Sequence, residues 1–230
     1  MKDSESTKVY FRDISSLTDE ELFKSMLDEV SDTRRKKVMS YRFMKDRCLS
    51  LGAELLLRDA LCDFGMDRTV PLEFEYRKNE KPYLSGHDDI FFNLSHSGDY
   101  VMCAVSESEI GCDIQKIDKA ELKLAERFFT EREYHAIADL PTEERRTDMF
   151  YRYWTLKESF MKVTGLGMQL ALDAFEILIG NPDSMLKPAA DTSDTCITLT
   201  QSVDDHTYSF TEYDSIPGYK AAICRTTGGN

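Results

Sequence analysis

Several polar residues in this chain have spacings that suit work on a phosphate. In the stretch FYRYWTLKESFMKVTGLGMQL (150–170), Trp154, Glu158 and Lys162 lie four apart, which stacks them on one face of a helix. A carboxylate and an ammonium about 6 Å apart along that face suit a place where a metal ion and a phosphate meet. In EIGCDIQKID (109–118), Ile110, Cys112 and Ile114 alternate with Gly111, Asp113 and Gln115, a period-two strand pattern. Asp113 and Gln115 then face one side, about 6.5 Å apart, and offer oxygen ligands to a hard cation such as Mg²⁺. Ser95 and His96, in FFNLSHSGDYVMCAV (91–105), are expected just after a buried strand and before a tight turn. No G-x-S-x-G elbow accompanies them, and neighbours on a strand point to opposite faces, which excludes a serine-hydrolase pair. A hydroxyl and an imidazole beside a phosphate is their functional reading. The densest basic run, TRRKKVMSYRFMKDR (33–47), carries Arg34, Arg35, Lys36, Lys37, Arg42, Lys45 and Arg47 and is the place to receive an anion. Taken singly, each pattern also has a plain structural reading: a surface ion pair beside a core tryptophan, a strand edge, a turn, a solvated helix face.

The elements that must position these residues follow from pattern and punctuation. A short strand is expected over Lys8–Arg12. A helix over 19–30 follows, capped by Ser16 or Thr18, with Thr18 and Glu21 at capping-box spacing. Ser31-Asp32 begins a second helical region that runs to about Cys62 and is interrupted near Met44–Asp46. Strands are expected over Leu72–Tyr76, Ile90–Leu94 and Tyr100–Ser106, divided by Arg77-Lys78-Asn79, Ser85-Gly86 and Ser97-Gly98-Asp99. Pro82 biases Lys81 towards an extended backbone. A short helix before Thr130 and a new one containing Glu133 lead into the helix that ends at the glycine turn. The last 55 or so residues read as sheet scaffold, with strands over Ala174–Ile179, Cys196–Ser202, Thr207–Tyr213 and Tyr219–Cys224, and with a mobile loop over 181–195.

Composition bounds the rest. At 230 residues and 41% hydrophobic, with 13 Phe and 11 Tyr, the chain can bury a substantial core and is not disordered. A net charge of −13 argues against nucleic acid or an anionic membrane as partner, so an anionic ligand must be held by a local basic cluster. The six cysteines and four histidines show no C-x-x-C and no H-x-x-x-H spacing. No apolar run approaches the 18 or so residues of a span, and the N-terminal MKDSESTKVY has no apolar signal core. A soluble, cytoplasmic protein of a reducing compartment is the expectation.

Five motifs in order bind these observations together: K-P-Y (81–83), F-N-x-S-H-S-G (92–98), G-x-D-I (111–114), R-F-F-x-x-x-E-Y (127–134) and W-x-x-K-E-x-x-x-K-x-x-G-x-G (154–167). Over roughly residues 31–225 the set resembles the 4′-phosphopantetheinyl transferases of the single-chain class that activates peptide and polyketide synthetases. The resemblance implies an α+β fold of two similar α/β halves with pseudo-twofold symmetry, 1–107 and 108–230, with the cofactor cleft between them. It implies Mg²⁺-dependent transfer of the phosphopantetheine arm of coenzyme A to a serine of an apo acyl or peptidyl carrier protein, releasing 3′,5′-ADP. A monomer is expected, because the two halves remove the need for a dimer. By position, Asp113, Gln115 and Glu158 hold the metal, and Asp113, Glu133, Glu158 and Lys162 form the catalytic set. Glu133 matches a carboxylate that assists the metal or deprotonates the serine. Lys81, Ser95, His96, Lys157 and Lys162 meet CoA phosphates, and Arg34 and Lys37 match the positions that meet the 3′-phosphate. Gln115 departs from the glutamate common in relatives, and Arg34 from a lysine. Leu49 stands where a basic residue is frequent, which would shift that role to Arg47 or Lys45. Two other classes use the same residues: a metal-dependent phosphodiester hydrolase built on Asp113, Glu133 and Glu158, and a CoA-binding module without turnover.

Overall fold

Two long helices, each laid on a three-stranded antiparallel sheet, organise the chain. The structure is a computed structural model and describes residues 7–76, 81–180 and 197–228. The first half runs β1 (Thr7–Asp13), α1 (Glu20–Leu27), α2 (Asp32–Ser40), α3 (Met44–Asp63), β2 (Phe74–Tyr76), β3 (Pro82–Leu84), β4 (Phe91–Ser97) and β5 (Tyr100–Ser106). The second half runs β6 (Ile110–Lys116), α4 (Leu122–Phe128), α5 (Glu131–Ala138), α6 (Glu143–Val163), β7 (Glu176–Ile179), β8 (Ile197–Thr200), β9 (Thr207–Tyr213) and β10 (Tyr219–Gly228). One order of elements, a strand, three helices and four strands, is thus used twice. The sheets repeat as well: β1-β5-β4 and β6-β10-β9 each place the half's first strand on one edge and its last strand in the centre. This is the two-half α+β fold that the motifs imply.

Burial explains why these segments take these forms. Leu51, Leu55, Leu57 and Leu61 of α3 pack with Val101, Cys103 and Val105 of β5 in the first core. Leu156 and Phe160 of α6 pack with Phe129, Phe175, Ile177, Ala222 and Cys224 in the second. The opposite faces of the central strands, Met102 and Ala104 of β5 with Ala221 and Ile223 of β10, join Ile110, Cys112 and Ile114 in a third core shared by both halves. Each central strand is covered on both faces, which is why YVMCAV in β5 reads as a continuous apolar run rather than an alternation.

The two sheets meet edge to edge at β4 and β6, and side chains make the rungs. Asn93 Oδ1 accepts from Cys112 N at 2.9 Å, Ser95 Oγ from Ile114 N at 3.4 Å, and Ser97 Oγ from Lys116 N at 3.0 Å. Every second residue of β4 therefore satisfies every second amide of β6, and strand β4 continues to Ser97. The expectation that Ser95 and His96 lie beyond the strand end is corrected: both are inside it.

Other boundaries shift for local reasons. Asp19, not Ser16 or Thr18, caps α1, accepting from Leu22 N at 2.9 Å, because 15–18 form a 3₁₀ turn first. Ser31 caps α2 as expected, and the break before α3 falls at Tyr41–Phe43, just ahead of the expected Met44–Asp46. Lys81-Pro82-Tyr83 enters a strand, β3, paired with β2. The 77–79 turn, Cys196 and the 181–195 loop lie outside the described residues. The new helix containing Glu133 and the glycine turn after α6, with Gly165 at φ 68°, are as the sequence reads, and the structure adds a Thr130–Glu133 capping box at the start of α5.

Candidate active site

Helix α6 owes its length to a capped start and a buried face. Thr142 accepts from Arg145 N at 3.2 Å, Glu143 and Glu144 occupy the first turn, and Lys162 the last, each suited to the helix dipole. Its approach to β6 is set by Gly111: a Cβ there would lie 2.1 Å from Ser159 O and 2.5 Å from Val163 N. Only glycine lets the helix backbone come this close, and that closeness brings Glu158 and Lys162 to the Asp113 strand.

Asp113 is the centre of the resulting cluster, 2% exposed. Its Oδ1 accepts from Lys162 Nζ at 2.7 Å and from Ser95 Oγ at 2.8 Å. Its Oδ2 accepts from Gln115 Nε2 at 3.0 Å. Lys162 also donates to Cys112 O at 2.9 Å and Ser95 Oγ at 3.0 Å. Burial works against the ammonium, but the Asp113 carboxylate outweighs it and holds Lys162 above the usual lysine value. Glu158, half-buried and without a hydrogen-bond partner among the described residues, is pushed up, first by burial and then by the Asp113 charge. Two carboxylates therefore crowd one spot, with one lysine to offset them. Oxygens of this kind fit a hard divalent cation. Among the described residues no third acidic, imidazole or thiol side chain joins the pair in a metal-binding group.

The other face of β4 opens elsewhere. Phe92, Leu94 and His96 line a cavity of about 770 Å³ together with Arg34, Lys37, Tyr41, Leu49, Phe74 and Tyr76, a size that suits a cofactor-sized ligand. His96 stands exposed at its rim. The protein packed round the ring, and then the charge of Lys162, push its pKa down. His96 thus connects the cavity to the Asp113 cluster, while its neighbour Ser95 belongs wholly to the cluster. At the far end Arg34 donates to Ser50 O at 2.6 Å and lies 3.4 Å from Glu54 Oε2, and Lys37 is exposed and makes no ion pair among the described residues. Lys45 is paired with Asp99 at 3.3 Å and Arg47 with Tyr41 O at 2.9 Å. Neither lines the cavity, so among the described residues its basic end rests on Arg34 and Lys37.

Three of the expected site residues are placed away from this cluster and cavity. Lys157 and Glu133, both 0% exposed at the side chain, form an ion pair of 2.8 Å inside the second core. Lys157 Nζ also donates to Leu172 O and Phe175 O, and Glu133 accepts from Thr130 N and Ile177 N. All three Lys157 donors are taken and Glu133 accepts three bonds, which holds both side chains within the core; burial lowers the Lys157 ammonium. Lys81, 8% exposed, is held by Glu109 at 2.6 Å, Ile110 O at 3.2 Å and Val163 O at 3.3 Å. It ties β3 to the start of β6 and the end of α6 rather than facing the cavity. What the sequence reading missed is Gly111 as the helix seat, the Asn93-Ser95-Ser97 rungs, and the aromatic wall of Tyr41, Phe74 and Tyr76. The period-two N-x-S-x-S of β4 is the signal that could have revealed the rungs.

Comparison with known proteins covers both halves. The family model described as the 4′-phosphopantetheinyl transferase superfamily matches residues 109–224, and that described as 4′-phosphopantetheinyl transferase, N-terminal, matches 18–109. A 4′-phosphopantetheinyl transferase of Bacillus subtilis is 32% identical over 86% of this chain and 83% of its own. The 4′-phosphopantetheinyl transferase gsp of Aneurinibacillus migulanus is 34% identical over 74% of this chain and 70% of its own. The solved holo-(acyl-carrier-protein) synthase of Thermotoga maritima aligns with 52% of this chain and 62% of its own, at 17% identity and a TM-score of 0.40.

Proposed function

This chain belongs to the 4′-phosphopantetheinyl transferase superfamily, and from that premise we propose that the Asp113 cluster and the adjoining cavity together perform the transfer. The enzyme moves 4′-phosphopantetheine from coenzyme A to carrier proteins. The acceptor hydroxyl is the carrier's serine, so no activated serine or cysteine of this chain is needed. In the reaction the serine hydroxyl gives its proton to a carboxylate or water, its oxygen bonds to the phosphorus that carries the pantetheine arm, the P–O bond of the pyrophosphate bridge breaks, and 3′,5′-ADP leaves with that bond's electron pair.

The observation that carries the assignment is the meeting of Asp113, Glu158 and Lys162 beside His96, a β4 residue that lines the cavity and feels the Lys162 charge. In this reading the nucleotide lies along the cavity, with its 3′-phosphate towards Arg34 and Lys37 and its pyrophosphate towards His96 and Lys162. Asp113 and Glu158, with Gln115, are the oxygens that would hold Mg²⁺. A bound Mg²⁺ would neutralise charge on the pyrophosphate oxygens. Lys162 holds a permanent positive charge at the place where the bridge opens, and His96 offers a further donor. Ser95 keeps Lys162 and Asp113 in register through one hydroxyl bonded to both. Glu133 and Lys157 support the site from the core by fixing α5 and the 172–177 segment against α6.

The test is the intact mass of an apo carrier protein after incubation with this enzyme, CoA and Mg²⁺. The expected result is a gain of one phosphopantetheine group, abolished by chelator and by Glu158→Ala. Undiminished transfer by Glu158→Ala, folded as the wild type is, would remove Glu158 from the site.

A further inference from the structure

Chemistry fixes which way the Gln115 amide points. The group 3.0 Å from Asp113 Oδ2 must be Nε2, because a carboxylate only accepts hydrogen bonds. Oε1, the atom able to ligate a cation, is therefore turned to Ser97 Oγ at 3.4 Å. That hydroxyl already accepts from Lys116 N at 3.0 Å. A hydroxyl has one donor and two acceptor positions, so Ser97 serves the amide either way round. It donates to Oε1 in the geometry described, and after a half-turn it would accept from Nε2 while keeping Lys116 N.

We propose that Gln115 is a two-position residue: its amide nitrogen steadies Asp113 in the geometry described, and its amide oxygen turns onto a divalent cation held by Asp113 and Glu158, with Ser97 Oγ as the pivot common to both. The inference rests on the reading of Asp113 and Glu158 as the cation site. The half-turn about the terminal side-chain bond breaks one hydrogen bond, the one to Asp113 Oδ2, and so frees that oxygen for the cation in the same movement. No new partner is needed at Ser97. A glutamate at this position has no equivalent of the first position. It cannot donate to Asp113, and it would set a third carboxylate beside Asp113 and Glu158. The amide thus lowers the electrostatic cost of the site without a cation and gives up ligand charge with one, and ligand charge is a main determinant of cation affinity.

The experiment follows the Gln115 side-chain amide by ¹⁵N-correlated NMR during titration with Mg²⁺, its resonance pair identified by its disappearance in Gln115→Glu. The pair is expected to move on saturation. By calorimetry, Gln115→Glu is expected to bind Mn²⁺ at least about tenfold more tightly than the wild type, and to melt below it in chelator. A pair that stays still at saturating Mg²⁺, or a Gln115→Glu protein that binds Mn²⁺ no more tightly, overturns the proposal. Glu158→Ala separates the two layers of the argument. Unweakened Mn²⁺ binding in that variant overturns the cation site itself, and with it the role given to Gln115. Weakened binding with an unmoved Gln115 amide in the wild type overturns the two-position residue alone.

Discussion

Protonation couples His96 to the anion it is proposed to meet. Its surroundings and the nearby Lys162 charge hold the free ring below the ordinary histidine value of about 6.5. A polyphosphate beside the ring favours the imidazolium and raises that pKa in the complex. Between the two values, binding takes up a proton, so CoA affinity should rise as pH falls through the pKa of the complex and level off below the free-ring value. Calorimetry in buffers of different ionisation heat reads the uptake directly. The pH slope should vanish in His96→Gln, and a slope that survives there would assign the proton elsewhere. The buried Lys157–Glu133 pair gives the contrasting prediction. Removing one partner leaves a charge in the core, which costs about 3–5 kcal/mol, so Lys157→Met should lower the melting temperature by about 10 °C. Lys157→Met with Glu133→Leu should recover part of that loss; a double variant no more stable than Lys157→Met would contradict the pairing. These residues also mark how far the sequence could be read. The i,i+4 relation of Glu158 and Lys162 and the i,i+2 relation of Asp113 and Gln115 were legible, because spacing within one element is geometry. That Lys157 turns into the core while Glu158 turns out of it was not, because it depends on what α6 packs against.

Elements bring the cluster together by packing, and Gly111 is where the packing is tightest. Its missing side chain lets the α6 backbone at Ser159 and Val163 rest on β6, one residue before Cys112, whose carbonyl accepts from Lys162. A methyl group there must push the helix away from the strand. Overpacking of this kind costs about 1–3 kcal/mol or more, or roughly 3–10 °C in melting temperature. The functional loss should be larger in proportion, because Glu158 and Lys162 ride on the displaced helix, and a shift of about 1 Å can cost a hundredfold in rate. Gly111→Ala should therefore fold, melt lower, and transfer at about one hundredth of the wild-type rate. A variant that melts lower but keeps its rate would show that α6 is free to adjust. The sequence presented G-x-D-I as a motif without this reason, since a glycine in a strand pattern signals only that something approaches closely. The extension of β4 to Ser97 was hidden for a related cause. Its rungs are made to β6, a strand of the other half, and no local propensity encodes them.

At the scale of the whole molecule, the doubled order of elements raises the question of whether 1–107 and 108–230 behave as two domains. We propose that they unfold together. Residues of β5 from the first half and of β6 and β10 from the second bury one another in the shared core, and the β4–β6 rungs leave neither edge strand complete without the other. Either half alone would expose that apolar face. Lys81 adds a cross-tie from β3 to Glu109 and Val163. The chain carries its own reporter for the test, because its single tryptophan, Trp154, packs in the second core. Leu51, fully buried on α3, belongs to the first. Leu51→Ala should cost about 3 kcal/mol, a shift of about 1 M in the urea midpoint. If the halves form one cooperative unit, Trp154 fluorescence reports that full shift although the mutation lies in the other half, and far-ultraviolet circular dichroism follows the same curve. A Trp154 transition left at its wild-type midpoint, while circular dichroism divides into two steps, would make the halves separate domains. The cluster drawing on both, Ser95 from one and Asp113, Glu158 and Lys162 from the other, would then have to be held by docking rather than by a common core.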